Sequence, residues 1–451
     1  MKIRCRLLLV AAAAFLALSS SAQVAPPAPA AAQAPGRPAG PAPQTITLQQ
    51  AEQLAIQNHP QIQIATAQAS AADAQRREVR AAYFPTVNGS ITGAEANDDN
   101  RIGAGVLNAP RVFPKFAQGF AVNQLVSDFG HTYDVVKSAN LHEQAQQENI
   151  VTTRANVLLQ VDRSYYGVLR AQALLRVAQQ TVSERQLVSN QVTQMAANQL
   201  KSQLDVTFAN VDTAQAQLLL IQAQNNLQSS YADLTRALGF ADQRTYSLME
   251  PRPPAGPPTS LDALIQQAVM NRPELVSLRY EVNAAQTFLA AEHDLWYPSI
   301  SVVGVAGLIP LHANVTTTGL NNEYAAAGFN VNIPIFNGHL FGALRNEAME
   351  RSLVQQQSLR NELNEVVRDV NQAWNDANSG FQRLSEVEQL VNQATQALNL
   401  ATSRYQLGLS SIVELTQSQL NLTQAQIEQV NATYDYQTEL ALVNYSIGSL
   451  R

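Results

Sequence analysis

The chain has 451 residues, of which 46% are hydrophobic, 6% aromatic and 14% charged, with a formal net charge of −6 and one cysteine, Cys5. So little charge excludes a disordered polyelectrolyte, the lack of a basic excess excludes a nucleic-acid binder, and one thiol excludes a disulfide framework or a thiolate metal site. The abundance of Ala, Gln, Asn, Leu and Val suits long helices with polar, weakly charged faces.

Residues 1–22 read as a secretory signal peptide. Lys2, Arg4 and Arg6 supply the positive start, Leu7 to Leu18 the apolar run, and Ser20-Ser21-Ala22 the small residues for cleavage before Gln23. Cleavage removes three basic residues and no acid, which takes the net charge to −9 and leaves no cysteine. A lipid anchor at the cleavage point is therefore not expected. An uncleaved anchor is the alternative reading, but the run falls short of the roughly 20 residues of a spanning helix. No later stretch reaches that length, so only β-strands are left to cross a bilayer. That restriction assigns the exported chain to the periplasm, the outer membrane or the exterior.

Residues 23–44 form an Ala/Pro-rich arm, expected to be extended. Beyond it the sequence is one unit written twice, at 45–240 and 260–451, around a Pro-rich linker at 241–259. Thr47-Leu48 opens a helical pattern that reaches Asn58-His59-Pro60, and Ser260-Leu261 opens its copy, which reaches Asn271-Arg272-Pro273 at an offset of 213. The same offset carries Tyr83-Phe84-Pro85 onto Trp296-Tyr297-Pro298. It becomes 209 where Gly119-Phe120-Ala121-Val122-Asn123 matches Gly328-Phe329-Asn330-Val331-Asn332. It stays there for Asp205-Val206 with Glu414-Leu415 and for Leu238-Gly239 with Ile447-Gly448. One four-residue deletion between Pro298 and Gly328, in a loop, accounts for the change.

Each half is predicted to run helix, two strands, long helix, long helix. Thr47 and Ser260 are candidate N-caps. The opening helix is expected to reach the aromatic-Pro pair, because the residue before a proline is steered out of the α region. The period then changes to two, with Val87, Gly89 and Ile91 alternating with Asn88, Ser90 and Thr92, and 299–308 rich in Val and Ile. β-Hairpins are expected at about 86–128 and 299–337, with returning strands that contain Phe120 to Val126 and Phe329 to Ile335. Two hairpins cannot close a barrel, and lipid forbids open edges, so several chains must contribute. Tyr83, Phe84, Trp296 and Tyr297 stand where helix gives way to strand. They are expected at the membrane–water interface, with packing at a helix end as the plainer alternative.

Long helical hairpins are predicted at about 131–240 and 339–449. Val161, Val168, Leu175 and Val182 recur every seven residues, as do Val370, Ala377, Leu384, Val391 and Leu398. Leu227, Tyr231, Leu234 and Leu238 keep a related rhythm, echoed by Tyr436, Leu440, Val443 and Ile447. These are coiled-coil seams. A helix of ~65 residues is about 100 Å long, more than a globular core needs.

Gln124-Leu125-Val126-Ser127-Asp128-Phe129-Gly130 and its partner Ile333-Pro334-Ile335-Phe336-Asn337-Gly338-His339 look like strand-to-helix junctions. Arg404-Tyr405-Gln406-Leu407-Gly408-Leu409-Ser410 looks like a hairpin tip. With the duplication, these segments resemble the TolC-like outer-membrane efflux family over nearly the whole mature chain. The resemblance implies a fold that is mainly α with a membrane β-barrel. Duplicated helix–β-hairpin–long helical hairpin units of a homotrimer would form a 12-stranded barrel on an α-helical tunnel. It implies an exit channel in the bacterial outer membrane, extending into the periplasm. An inner-membrane pump would feed it through a periplasmic adaptor, whose contacts would be Gly408, Leu409, Ser410, Leu200 and Lys201.

By the same resemblance Tyr405, Glu414 and Asp205 occupy the positions of the periplasmic gate. Ser410 stands where a well-known member has a basic residue and Gln417 where it has a second acid, which counts against a tyrosine–arginine–aspartate lock. A ring of Glu414 carboxylates on a threefold axis would repel and favour cations between its members. The alternative for Glu414 is a solvated surface charge.

No catalytic residue, cofactor or metal site is predicted. The histidines are scattered, and His142-Glu143 lacks the second histidine four residues on that a zinc helix requires. No nucleophile elbow or phosphate loop is present, and the carboxylates are diffuse. Two rival readings stay open: a type I protein-secretion duct, and a non-conducting periplasmic structural or adaptor coiled-coil protein. The latter would carry one hairpin and no duplicated strand pairs.

Overall fold

The computed structural model describes residues 45–94, 100–102, 109–112, 115–242, 244–251, 256–257, 260–308 and 323–450. The expected signal peptide, the Ala/Pro-rich arm and part of the linker lie outside the described residues.

The first half contains β1 (Thr45–Ile46), α1 (Leu48–Asn58), α2 (Pro60–Arg80), β2 (Thr86–Ala94), β3 (Asn100–Ile102), β4 (Ala109–Val112), β5 (Lys115–Ser127), α3 (His131–Ala197) and α4 (Gln203–Ala237). The second contains β6 (Ser247–Leu248), α5 (Leu261–Asn271), α6 (Pro273–Asp294), β7 (Ser299–Leu308), β8 (Glu323–Asn332), α7 (Leu340–Gln406) and α8 (Ile412–Ser446). The duplication holds at the level of elements: α3 and α7 have 67 residues each, and α4 and α8 have 35 each.

The opening helix of each half is two helices rather than one. Pro60 and Pro273 force the residue before them into an extended conformation, His59 at φ −70°, ψ 123° and Arg272 at φ −66°, ψ 120°. Each proline then starts the next helix at a position where its missing N–H costs nothing. Thr47 caps α1 through a reciprocal bond pair with Gln50, and Ser260 caps α5 by accepting from the Ala263 N–H.

Both breaks are wedged from outside by a glycine. Gly239 ends α4 at φ +82° and Gly448 ends α8 at φ +71°. Their N–H groups return to the carbonyls of Arg236 and Tyr445. A Cβ on Gly239 would lie 2.8 Å from the His59 Cα, and one on Gly448 2.9 Å from the Asn271 carbonyl carbon. Only glycine permits both the left-handed turn and that approach.

β2, β5, β7 and β8 form one antiparallel sheet in the order β2-β5-β7-β8. Val87 faces Val122, Phe120 faces Ala306, and Val302 faces Phe329. This register places Val87, Ile91, Phe116, Phe120, Val122, Val302, Leu308, Phe329 and Val331 on one face. The other face carries Thr86, Asn88, Ser90, Thr92, Asn123, Ser301, Asn330 and Asn332. A register shift between Leu125 and Ser127 bends the end of β5. β5, from Lys115 to Ser127, contains the expected Phe120 to Val126, whereas β8 ends earlier than predicted, at Asn332. Ile333 to Ile335 leave the ladder because Pro334 has no N–H to donate.

The helices share three cores. One gathers α1, α3 and α4 with β1, which lies parallel to β6, around Val161, Tyr165, Val168, Leu234 and Leu238. The second is its duplicate, with Val366, Val370, Ala377, Val443 and Ile447. The third lies between the ends of the long hairpins. Val161 and Val168 are buried as predicted, but Leu175 and Val182 are only half-buried, and the buried line passes to Ala178, Thr181, Arg185, Ser189 and Val192. A strict seven-residue repeat drifts by about 20° per heptad on a straight helix, and α8 packs along α3 as well as α4 does.

Candidate functional site

The ends of the two long hairpins gather most of the predicted gate and tip residues. The α3–α4 turn reverses through Gln199 at φ +64°, and the α7–α8 turn through Gly408 at φ +74°. Ser202 and Asp205 cap α4 reciprocally: the Asp205 N–H donates to Ser202 Oγ at 3.1 Å, and the Ser202 N–H donates to Asp205 Oδ2 at 3.0 Å. Ser411 does the same work for α8 by accepting from the Glu414 N–H at 3.4 Å. Both acids thus sit in the first turn of a helix, where the dipole favours negative charge.

Tyr405 is buried at the end of α7, among Val192, Val206, Ala209, Ile412 and Leu415. Burial, with the charge of Asp205 as a second cause, pushes its hydroxyl above the usual tyrosine range. The hydroxyl has no hydrogen-bond partner among the described residues. Asp205 is occupied by its cap. A different side chain joins the two hairpins here: Lys201 Nζ lies 3.9 Å from the centroid of the Tyr405 ring and donates to the Tyr405 carbonyl at 3.4 Å.

Glu414 lies beside Arg404, with Oε1 3.1 Å from Nε and both side chains nearly half exposed. Of the predicted contact residues, Leu200 is 72% and Leu409 67% exposed. Leu204, Leu407 and Val413 extend that apolar surface. Ser410 instead turns its Oγ inward, where it has no partner.

Above the tips is a cluster that was not foreseen. Arg185 of α3 is buried and reaches Thr423 of α8 at 3.5 Å. It borders a groove of roughly 420 Å³ with Asp212, Gln215, Thr416 and Gln417. Burial lowers the Arg185 guanidinium, partly offset by the charges of Asp212 and Glu184, and raises the Asp212 carboxyl, partly offset by Arg185. The available signal was its spacing, since Thr181, Arg185, Ser189 and Val192 fall on one helix face.

The predicted interface aromatics lie apart from the tips, at the other end of the long helices. Tyr83, Phe84, Trp296 and Tyr297 are all exposed. Phe129 stands 6.3 Å from Tyr297, and Phe341 stands edge-on 5.8 Å from Trp296. This places aromatic rings from both halves around the junction of sheet and helices.

The outer membrane efflux protein family matches residues 51–240 and 264–449 of the chain. The cobalt-zinc-cadmium resistance protein CzcC of Cupriavidus metallidurans is 26% identical over 233 residues, 51% of this chain and 54% of that one. The cation efflux system protein CusC of Escherichia coli is 24% identical over 335 residues, 69% of this chain and 67% of the other. The alkaline protease secretion protein AprF of Pseudomonas aeruginosa is 23% identical over 326 residues, 70% and 66% of the two chains. The chain thus spans about half the length of CzcC and about two thirds of the others. Among solved structures, the CmeC outer membrane channel of Campylobacter jejuni has a TM-score of 0.77 at 16% identity, over 89% of this chain and 85% of that one. The outer membrane protein VceC of Vibrio cholerae has 0.75 at 18%, over 89% and 96%. Those structures share the fold of long helical hairpins joined to a strand sheet. The family match covers both halves of the repeat, and on it the chain belongs to the outer membrane efflux protein family, with the outer membrane as its place in the cell.

Proposed function

We propose that the protein is the exit channel of a tripartite efflux or secretion system, a passive trimeric conduit that receives cargo from an inner-membrane pump through a periplasmic adaptor. The observation that carries this reading is the sheet. Its apolar face leaves Phe120 66% and Phe329 80% exposed, and nothing among the described residues covers them. Its outer strands, β2 and β8, each have one unpaired edge. Lipid suits that face and forbids those edges, so β8 of one copy joins β2 of the next and three copies close twelve strands. The aromatic rings at the strand bases fit the membrane–water boundary. The exposed leucines at the hairpin ends fit an adaptor, with Gly408, Leu409, Leu200 and Lys201 in contact. Glu414 lines the constriction, with Asp205 and Tyr405 behind it.

Cargo is not set by this geometry. CzcC and CusC are named for cations and AprF for a secreted protease, and a wide tunnel takes what its pump delivers.

The test is single-channel current from the purified protein in planar bilayers, wild type beside Glu414→Ala. Discrete steps are expected, with higher conductance and weaker cation preference in the variant. Unchanged steps remove Glu414 from the constriction. Folded, inserted oligomers that carry no current would favour the structural coiled-coil reading instead.

A further inference from the structure

Far from the hairpin ends, two carboxyl groups meet without a cation. Glu52 stands on α1, next to Ala51, and Asp162 stands on α3, next to Val161, in the core where the two helices cross. Asp162 is only 4% exposed. Its Oδ1 has no hydrogen-bond partner among the described residues, and the Glu52 carboxyl lies within bonding reach of the Asp162 carboxyl. Two carboxylates cannot bond, because each only accepts. One proton converts the contact into an O–H···O bond between the two groups.

The other titratable groups near the crossing are accounted for. Tyr166 of α3 faces the pair, and the hydroxyl of its neighbour Tyr165 is turned to the carbonyls of Ile46 and Met249. From α4, Tyr231 donates to the Tyr246 carbonyl. From α8, Tyr434 bonds to Glu250. His59, at the far end of α1, faces Arg236. Arg163 lines a separate groove with Arg170 and Arg236. Among the described residues no cation acts on either carboxyl.

We propose that Glu52 and Asp162 form a buried proton-binding site that holds α1 against α3 while occupied and drives the helices apart when it empties. The duplicated half supplies an internal comparison. Ile265 and Asn371 stand at the equivalent positions, and α5 packs on α7 without such a pair. The helix crossing does not require two acids, and only the first half carries them. Burial, and the neighbouring Glu52 charge after it, push Asp162 from 3.8 up to about 8; burial raises Glu52 as well. The folded protein therefore holds a proton that the unfolded chain releases between those two values. The stability from this site is full in acid and is lost as pH rises through about 8.

The experiment is thermal unfolding of the full-length protein in detergent, followed by circular dichroism from about pH 5 to about pH 10. Wild type is compared with Asp162→Asn and Glu52→Gln, in which an amide donates to the remaining carboxylate. His142, bonded to Glu281, shifts stability in the same direction, so the difference between proteins is read rather than one slope. Wild type is expected to lose several degrees of Tm between about pH 5 and about pH 8 that both variants keep, with little further loss above that range. Infrared spectra at neutral pH should show a carboxylic-acid C=O band that Asp162→Asn removes. Equal pH profiles in all three proteins overturn the proposal, as does an unchanged band. If Asp162→Asn does not fold, the Glu52→Gln profile and its effect on that band decide.

Discussion

Gly239 and Gly448 show how much a single residue carries in this chain. Each closes a long helix in a left-handed turn and lets the backbone of an X-Pro break sit where a methyl group would lie. Gly239→Ala or Gly448→Ala is expected to cost about 1–3 kcal/mol from the backbone conformation alone, read as a lowered unfolding temperature in detergent. A change within error at both positions would mean that the breaks move freely. The pairing of Leu238-Gly239 with Ile447-Gly448 is visible in the sequence, but what the glycines touch is not, since Asn58 and Asn271 lie far away along the chain. The same limit hid Arg185 with Thr423, Lys201 on Tyr405, and Glu52 beside Asp162. Such contacts link elements whose relative rotation no local pattern encodes. Asp205 and Glu414 were legible as acids in equivalent positions. Their use as first-turn helix groups needed the turns themselves.

At the scale of elements, alternation did most of the predictive work. Val87, Gly89 and Ile91 against Asn88, Ser90 and Thr92 gave β2 its two faces before any partner was known, and the register extends those faces across four strands. Phe329→Arg, on the apolar face of β8, is expected to cost about 2–4 kcal/mol near the middle of a bilayer. It should appear as lost insertion into vesicles while helical content is retained; normal insertion would mean that this face does not meet lipid. Strand ends were less legible than strand faces, because pairing reaches as far as a neighbour allows. The long helices were legible in extent because they lack proline, and Gly167, Gly342 and Gly380 sit inside them without ending them. The seam was legible as far as Val168 on α3 and Ala377 on α7; α3 packs against both α4 and α8, and a single repeat describes neither.

At the scale of the whole molecule, the deciding number is how many copies close the sheet. Mass measurement of the detergent-solubilised protein is expected to give three chains; a stable single chain would leave both strand edges open to lipid and end the barrel reading. The sequence carried the need for company, because two hairpins are too few to close on themselves. It did not carry the angle at which copies meet. A further consequence follows from the polar face of the sheet. From Thr86 to Gly93, Phe116 to Ser127, Ser299 to Leu308 and Tyr324 to Asn332 there is no ionised side chain. In the exit-channel reading, that stretch of the conduit is an uncharged sleeve in which Val303, Val305 and Tyr324 stand among the hydroxyls and amides, and Lys115, the first residue of β5, is the one ionised group of the four strands on this face. Any toll on charge must be levied at the ends of that stretch rather than along it.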